Sequence, residues 1–177
     1  NLQCCGLALV TNSEKSLSFN VNDIYPYYQA ALSYGLVKKA DKKVELLSNV
    51  MKASADAEFY PEAMFELGRT YVAKEEDDKA FECFSRMAEK VKDSTFVARA
   101  YIEMGSLSRN QSQYNEALGY YKTVVEQMPM SGYAEDALAA IESIYQTRNQ
   151  PDEYLDYIEA IGKGGIKTDD EIGRAHV

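Results

Sequence analysis

The sequence repeats itself at an offset of 37 residues, and this restricts the fold more than any single motif does. Gly68 and Gly105 set the register. At that spacing stand Tyr27, Met64, Tyr101 and Leu138, then Ala30, Leu67, Met104 and Ile141, then Tyr34, Tyr71, Ser108 and Tyr145, with Ser108 the one polar member. Later in each unit come Val44, Phe81, Leu118 and Leu155, then Leu47, Phe84, Tyr121 and Ile158, then Val50, Met87, Val124 and Ile161, all apolar or aromatic. Members of a set lie three or four residues apart, which puts them on one face of an amphipathic helix. Each unit is therefore a predicted helical hairpin, and hairpins of this size bury their apolar faces by stacking on one another. The expected fold is all-α, a right-handed α-solenoid of about four hairpins, with units near 24–60, 61–97, 98–134 and 135–162.

The punctuation agrees with that division. Lys39 to Asp41, Lys74 to Asp78, Asn110 to Gln113 and Arg148 to Asp152 are polar breaks between the two helices of each hairpin. Asp41, Asp77 or Asp78, and Ser112 are the expected N-caps, and Pro61 and Pro151 suit a first helical turn. After Asn22 no apolar–polar alternation with β-branched enrichment persists to suggest a strand. Residues 1–22 hold Leu2 to Val10, too short to span a bilayer, and Gln3 spoils a lipoprotein cleavage site before Cys4. That segment reads as the remnant of an earlier packing helix or as added sequence. Gly162 to Gly165 ends the last helical pattern, and residues 163–177 read as a polar tail whose Asp169, Asp170 and Glu171 invite it back over a basic wall.

Composition removes several functions. Nineteen Lys and Arg against 28 Asp and Glu give a net charge of −9, a field that repels nucleic acid. No apolar run approaches the roughly 20 residues of a membrane helix. The single histidine is His176, the cysteines are Cys4, Cys5 and Cys83, and no CxxC, HExxH, GxSxG or phosphate-cradling glycine loop occurs. No catalytic residue, metal site or cofactor is expected; an enzyme would need catalysis in another domain or a groove carboxylate with a strongly raised pKa. Cys83, beside Phe84, reads as a small buried hydrophobe, and Glu75 to Asp78 as a solvated turn.

The residues resemble the tetratricopeptide repeat (TPR) family, whose pattern is W-x2-L-G-x2-Y, then A-x3-F, then P. Met64-x2-Leu67-Gly68-x2-Tyr71 with Ala80-x3-Phe84 departs at the tryptophan and lacks the closing proline; Tyr101-x2-Met104-Gly105-x2-Ser108 with Ala117-x3-Tyr121 and Pro129 keeps the glycine, alanine and proline. The outer units are degenerate: Ala31 and Lys43 stand at the glycine and alanine places of the first, Glu142 and Tyr154 at those of the last. The longer unit, and the ending from Ile144 to Ile158, are similar to bacterial cell-envelope TPR proteins, which implies a periplasmic or envelope location over a cytoplasmic one. Gly68 and Gly105 are expected where two helices approach closest, with Ala80 and Ala117 as their small complements.

The resemblance implies a concave wall built from the first helix of each hairpin and used to bind a protein or peptide. A third of a turn from the packing columns, helical geometry puts Tyr25, Tyr28, Leu32, Phe65, Arg69, Arg99, Ile102 and Arg109 on that wall, rich in interface-forming residue types. Three arginines on one wall of an acidic chain favour a carboxylate-bearing partner. The competing readings are that Tyr25, Tyr28 and Phe65 are covered by a preceding repeat, and that the arginines pair with Glu62, Glu66, Glu103 or Asp136. The family's carboxylate clamp, a lysine and asparagine set, is not reproduced. A second function is self-association through an exposed end of the array, Tyr154 and Tyr157 marking either a polar cap or a sticky end.

Overall fold

The structure, a computed structural model, describes residues 24–163. The readings of residues 1–22 and of the tail from Gly164 lie outside it. Eight α-helices run through the described residues: α1 (Tyr25–Leu36), α2 (Ala40–Leu47), α3 (Tyr60–Ala73), α4 (Asp77–Lys90), α5 (Ser94–Asn110), α6 (Tyr114–Gln127), α7 (Ala134–Thr147) and α8 (Pro151–Lys163). A single 3-10 turn, Val50–Lys52, follows α2, and no strand occurs among these residues. The fold is thus an all-α helical repeat, as the periodicity requires.

The chain divides into two compact units, one through Glu103 and one from Met104, with the boundary inside α5. In the first, α1 packs on α2, α2 on α3, and α3 on α4. The apolar columns supply that core: Leu47, Val50, Met64, Leu67, Phe84 and Met87 are fully buried. In the second, α6 packs on α7 and α7 on α8, over buried Tyr121, Val124, Ile141 and Ile144. Leu155 departs from its column, since it is 63% exposed on α8. In α6 the column mate Leu118 is covered, but among the described residues no helix follows α8 to cover Leu155.

The two glycines are needed for close approach. A Cβ at Gly68 would lie 2.6 Å from the Phe84 ring, and one at Gly105 2.7 Å from the Tyr121 ring. Each ring therefore lies against the glycine of its own hairpin, filling space a side chain would otherwise claim. The first hairpin reaches the same closure with a larger residue in the glycine's place and a smaller one in the ring's, because Ala31 and Leu47, both fully buried, stand at the places of Gly68 and Phe84.

The hairpin turns share one geometry that differs from the expected capping. Lys38, Glu75, Ser112 and Asn149, again 37 residues apart, are left-handed with φ of +57°, +59°, +62° and +55°. After each, the next N–H reaches back to the first helix: Lys39 to the Tyr34 carbonyl (3.0 Å), Glu76 to Tyr71 (3.0 Å), Gln113 to Ser108 (2.9 Å) and Gln150 to Tyr145 (2.9 Å). This Schellman-type closure satisfies the last carbonyls and leaves one residue before the next helix. Ser112 is therefore the left-handed residue, and Lys39, Glu76 and Gln113 take the N-cap positions without a side-chain bond. Asp41, Asp77 and Asp78 lie inside the first turn, where their charge favours the positive helix end. Pro61 and Pro151 do stand in the first turns of α3 and α8. The side-chain cap on α5 comes from Asp93, whose carboxylate accepts from the Thr95 N–H at 2.8 Å.

Each unit also carries a clasp between residues 33 apart. Lys74, at the end of α3, pairs with Asp41 of α2. In the second unit Arg148, at the end of α7, donates to Asn115 Oδ1 of α6 at 2.8 Å.

Candidate interaction surface

The expected wall residues of the first unit come from α1, α3 and the first half of α5. Their helical spacing brings Tyr28, Phe65, Arg69 and Arg99 into one neighbourhood. The wall, however, is not an open aromatic strip. Phe65 is only 5% exposed, its ring backed by Phe84 at 5.8 Å between centroids. The Arg99 guanidinium lies over the same ring, 3.8 Å from the centroid, and Arg69 stands at 6.0 Å. The aromatic face expected to meet a partner is instead the platform on which Arg99 rests. A guanidinium stacked in this way is held in orientation while its donors, in the plane of the group, stay available.

The anticipated arginine pairs are absent from this arrangement. Ion pairs among the described residues are made by lysines, and Glu66 is taken by Lys43, Nζ to Oε2 2.7 Å. Glu103, one turn beyond Arg99, is half-buried. Burial pushes its carboxyl above the ordinary glutamate range, and the positive charges of Arg69 and Arg99 oppose that rise. Tyr28 belongs to the same field: burial raises its phenol, the charges of Glu66 and Glu62 add to the rise, and Arg99 acts against it.

Tyr25 is 47% exposed and sits against Phe59, with ring centroids 4.9 Å apart; Tyr28 stacks on the same ring at 6.0 Å. Phe59 precedes α3 with φ +64°, a left-handed conformation uncommon for a bulky residue. It lies outside every helical period, so no sequence signal announced it. Leu32 and Ile102 are half-buried. Arg109 is exposed in the second unit, at the end of α5.

The second unit has a polar cluster of its own. Lys122 Nζ lies 4.4 Å from the Tyr157 ring centroid and 5.6 Å from that of Tyr145, and donates to the Tyr145 hydroxyl at 3.1 Å. Tyr157 is buried, and burial first, then Glu126, raises its phenol; Tyr154 is half-buried beside Tyr145. These tyrosines belong to the packing, so the exposed apolar group at this end is Leu155. Cys83 is 1% exposed, its thiol pushed up to about 12 by burial, and is inert as a nucleophile. No group of side chains that could hold a metal ion occurs among the described residues, and no helix there is long and apolar enough to cross a membrane.

Helical hairpins at a constant period, the first three closed by a small residue against a large one, define a TPR-like repeat. Solved structures bear this out. The chain is similar to the crystal structure of MamA, with 19% identity and a TM-score of 0.64 over 85% of this chain and 82% of that one. It is also similar to the Podosopora anserina putative kinesin light chain nearly identical TPR-like repeats, with 18% identity and a TM-score of 0.66 over 94% of this chain and 88% of that one. No protein-family model matches the chain, and no curated protein matches it.

Proposed function

We propose that this protein is a non-catalytic interaction scaffold whose first unit binds a peptide or partner segment across α1, α3 and α5. The observation that supports this most directly is Arg99 laid on Phe65 beside Arg69 and Glu103. Arg99 is half-buried and stacked and Arg69 is exposed beside it, and arginine and tyrosine are the residue types that dominate binding energy at interfaces. Tyr28, Arg69, Arg99 and Ile102 are the contact residues, with Tyr25 and Leu32 flanking them. Phe65 acts from beneath as the positioning residue.

Affinity capture from the source cell, run on wild type and on Arg69→Glu/Arg99→Glu with helicity checked by circular dichroism, tests the assignment. Partners held by wild type and lost from the variant support it; equal capture by both removes it. The exposed Leu155 favours self-association as a second reading. Sedimentation of wild type and Leu155→Ser over a wide concentration range decides that one: a dimer lost on substitution supports it, and monomer throughout ends it.

A further inference from the structure

The turn of the first hairpin differs in charge from the turns that repeat it. From Lys38 to Lys43 the chain reads Lys-Lys-Ala-Asp-Lys-Lys, four cations to one carboxylate. The matching stretch from Glu75 to Ala80 reads Glu-Glu-Asp-Asp-Lys-Ala, one cation to four carboxylates, and those starting at Ser112 and Asn149 have carboxylates and no cation. A concentrated positive turn in a chain of net charge −9 is a local focus for anions.

Beside this turn lies a cavity of about 500 Å³ bounded by α1, α2 and α3. It is open because Gly35 and Ala40 stand where the register puts Val72 and Asp77 in the second hairpin and Arg109 and Tyr114 in the third. Lys43, at the place of Ala80 and Ala117, runs past Gly35 with its Cδ 3.5 Å from where a Cβ would sit, and bonds Glu66 at 2.7 Å. An ammonium has three donors, so Glu66 leaves donors of Lys43 unused. Lys38 and Arg69 also line the cavity, and Lys38 has no ion-pair partner among the described residues. Three cations thus face one carboxylate, within a single unit.

We infer that this cavity is an anion-recognition site that takes a glutamate or aspartate side chain of a partner polypeptide. The planar fork of Arg69 and the ammonium groups of Lys38 and Lys43 match the two oxygens of a carboxylate. With three cations to one carboxylate the lining attracts anions of either charge, and the phosphate arm of the titration separates phosphate from carboxylate. The site shares Arg69 with the proposed contact surface, and in that respect rests on that reading, but uses neither Arg99 nor Phe65, so Lys38 tests it apart.

The test is a titration of the full-length chain followed by amide proton–nitrogen correlation spectra. The probes are acetyl-Gly-Glu-Gly-Glu-Gly-amide, its glutamine isostere, and sodium phosphate. Saturable shifts at the Gly35, Ala40 and Ala73 amides with the glutamate peptide alone are expected. Lys38→Asn, which removes the charge with a residue suited to the left-handed turn, weakens binding at least threefold at low salt, and the exposed Lys92→Gln leaves it unchanged. Equal shifts from the glutamine peptide, or tighter binding of phosphate than of the peptide, overturn the inference. Shifts confined to the neighbours of Arg99 overturn it too, while leaving the proposed function standing.

Discussion

The first and second hairpins close the same backbone with different volumes. In the second, Gly68 lets the Phe84 ring lie directly on the helix, and Ala80, Val72 and Asp77 complete the unit. In the first, Ala31 meets the smaller Leu47, Lys43 replaces the alanine, and Gly35 and Ala40 leave the turn hollow. The comparison teaches that summed volume at the helix crossing is what the repeat conserves physically. Where volume is relaxed at the rim, a charged cavity opens and the crossing is unaffected.

The largest expected effect strikes the tighter hairpin: Phe84→Ala, removing a fully buried ring, costs about 3–5 kcal/mol in urea unfolding. Next, Gly68→Ala sets its methyl inside the ring contact and costs about 1–2 kcal/mol net of the gain in helix propensity. The double variant Gly68→Ala/Phe84→Leu copies the first hairpin's pair. It is expected to lose less than the two single changes together, by about 1 kcal/mol of coupling. Strict additivity breaks the comparison.

Smaller effects probe the turn and the rim. Glu66→Gln leaves the half-buried Lys43 unpaired and costs about 1 kcal/mol, because both groups keep some solvent. Glu75→Gly relieves a left-handed glutamate and raises stability by about 0.5–1 kcal/mol, whereas Asn149→Gly gains less, asparagine tolerating that conformation. Thermal unfolding of the two variants side by side checks the ranking.

The smallest effect concerns Glu103. Its raised carboxyl binds a proton more readily folded than unfolded, so its destabilising contribution grows as pH rises through the folded-state value. Glu103→Gln is expected to stabilise at neutral pH, with the gain vanishing as pH falls below the ordinary glutamate range. Denaturation midpoints of the two proteins across that window test the sign, and a gain that persists in acid refutes it.

Much of the fold was legible because one physical signal recurs. Columns such as Leu47, Phe84 and Tyr121 record burial directly, and Gly68 and Gly105 announce contact through the absence of a side chain. The turns were not legible in the same way. Of Lys38, Glu75, Ser112 and Asn149, only Asn149 has a side chain that favours left-handed backbone, and Ser112 looked like a cap. Helical geometry placed Phe65, Arg69 and Arg99 on one face, and the structure brings them together, yet spacing could not tell which would lie beneath which.

By itself, the sequence determined the number of hairpins, the face each helix buries and the small-against-large crossing, because a period of three to four residues reports which side of a helix avoids water. Only the tertiary structure decided that Arg99 covers Phe65, that Lys43 pairs with Glu66 across hairpins, that Leu155 stays open and that the first turn is hollow. Those outcomes depend on which side chains from separate helices compete for one space, and spacing along the chain holds no record of that competition.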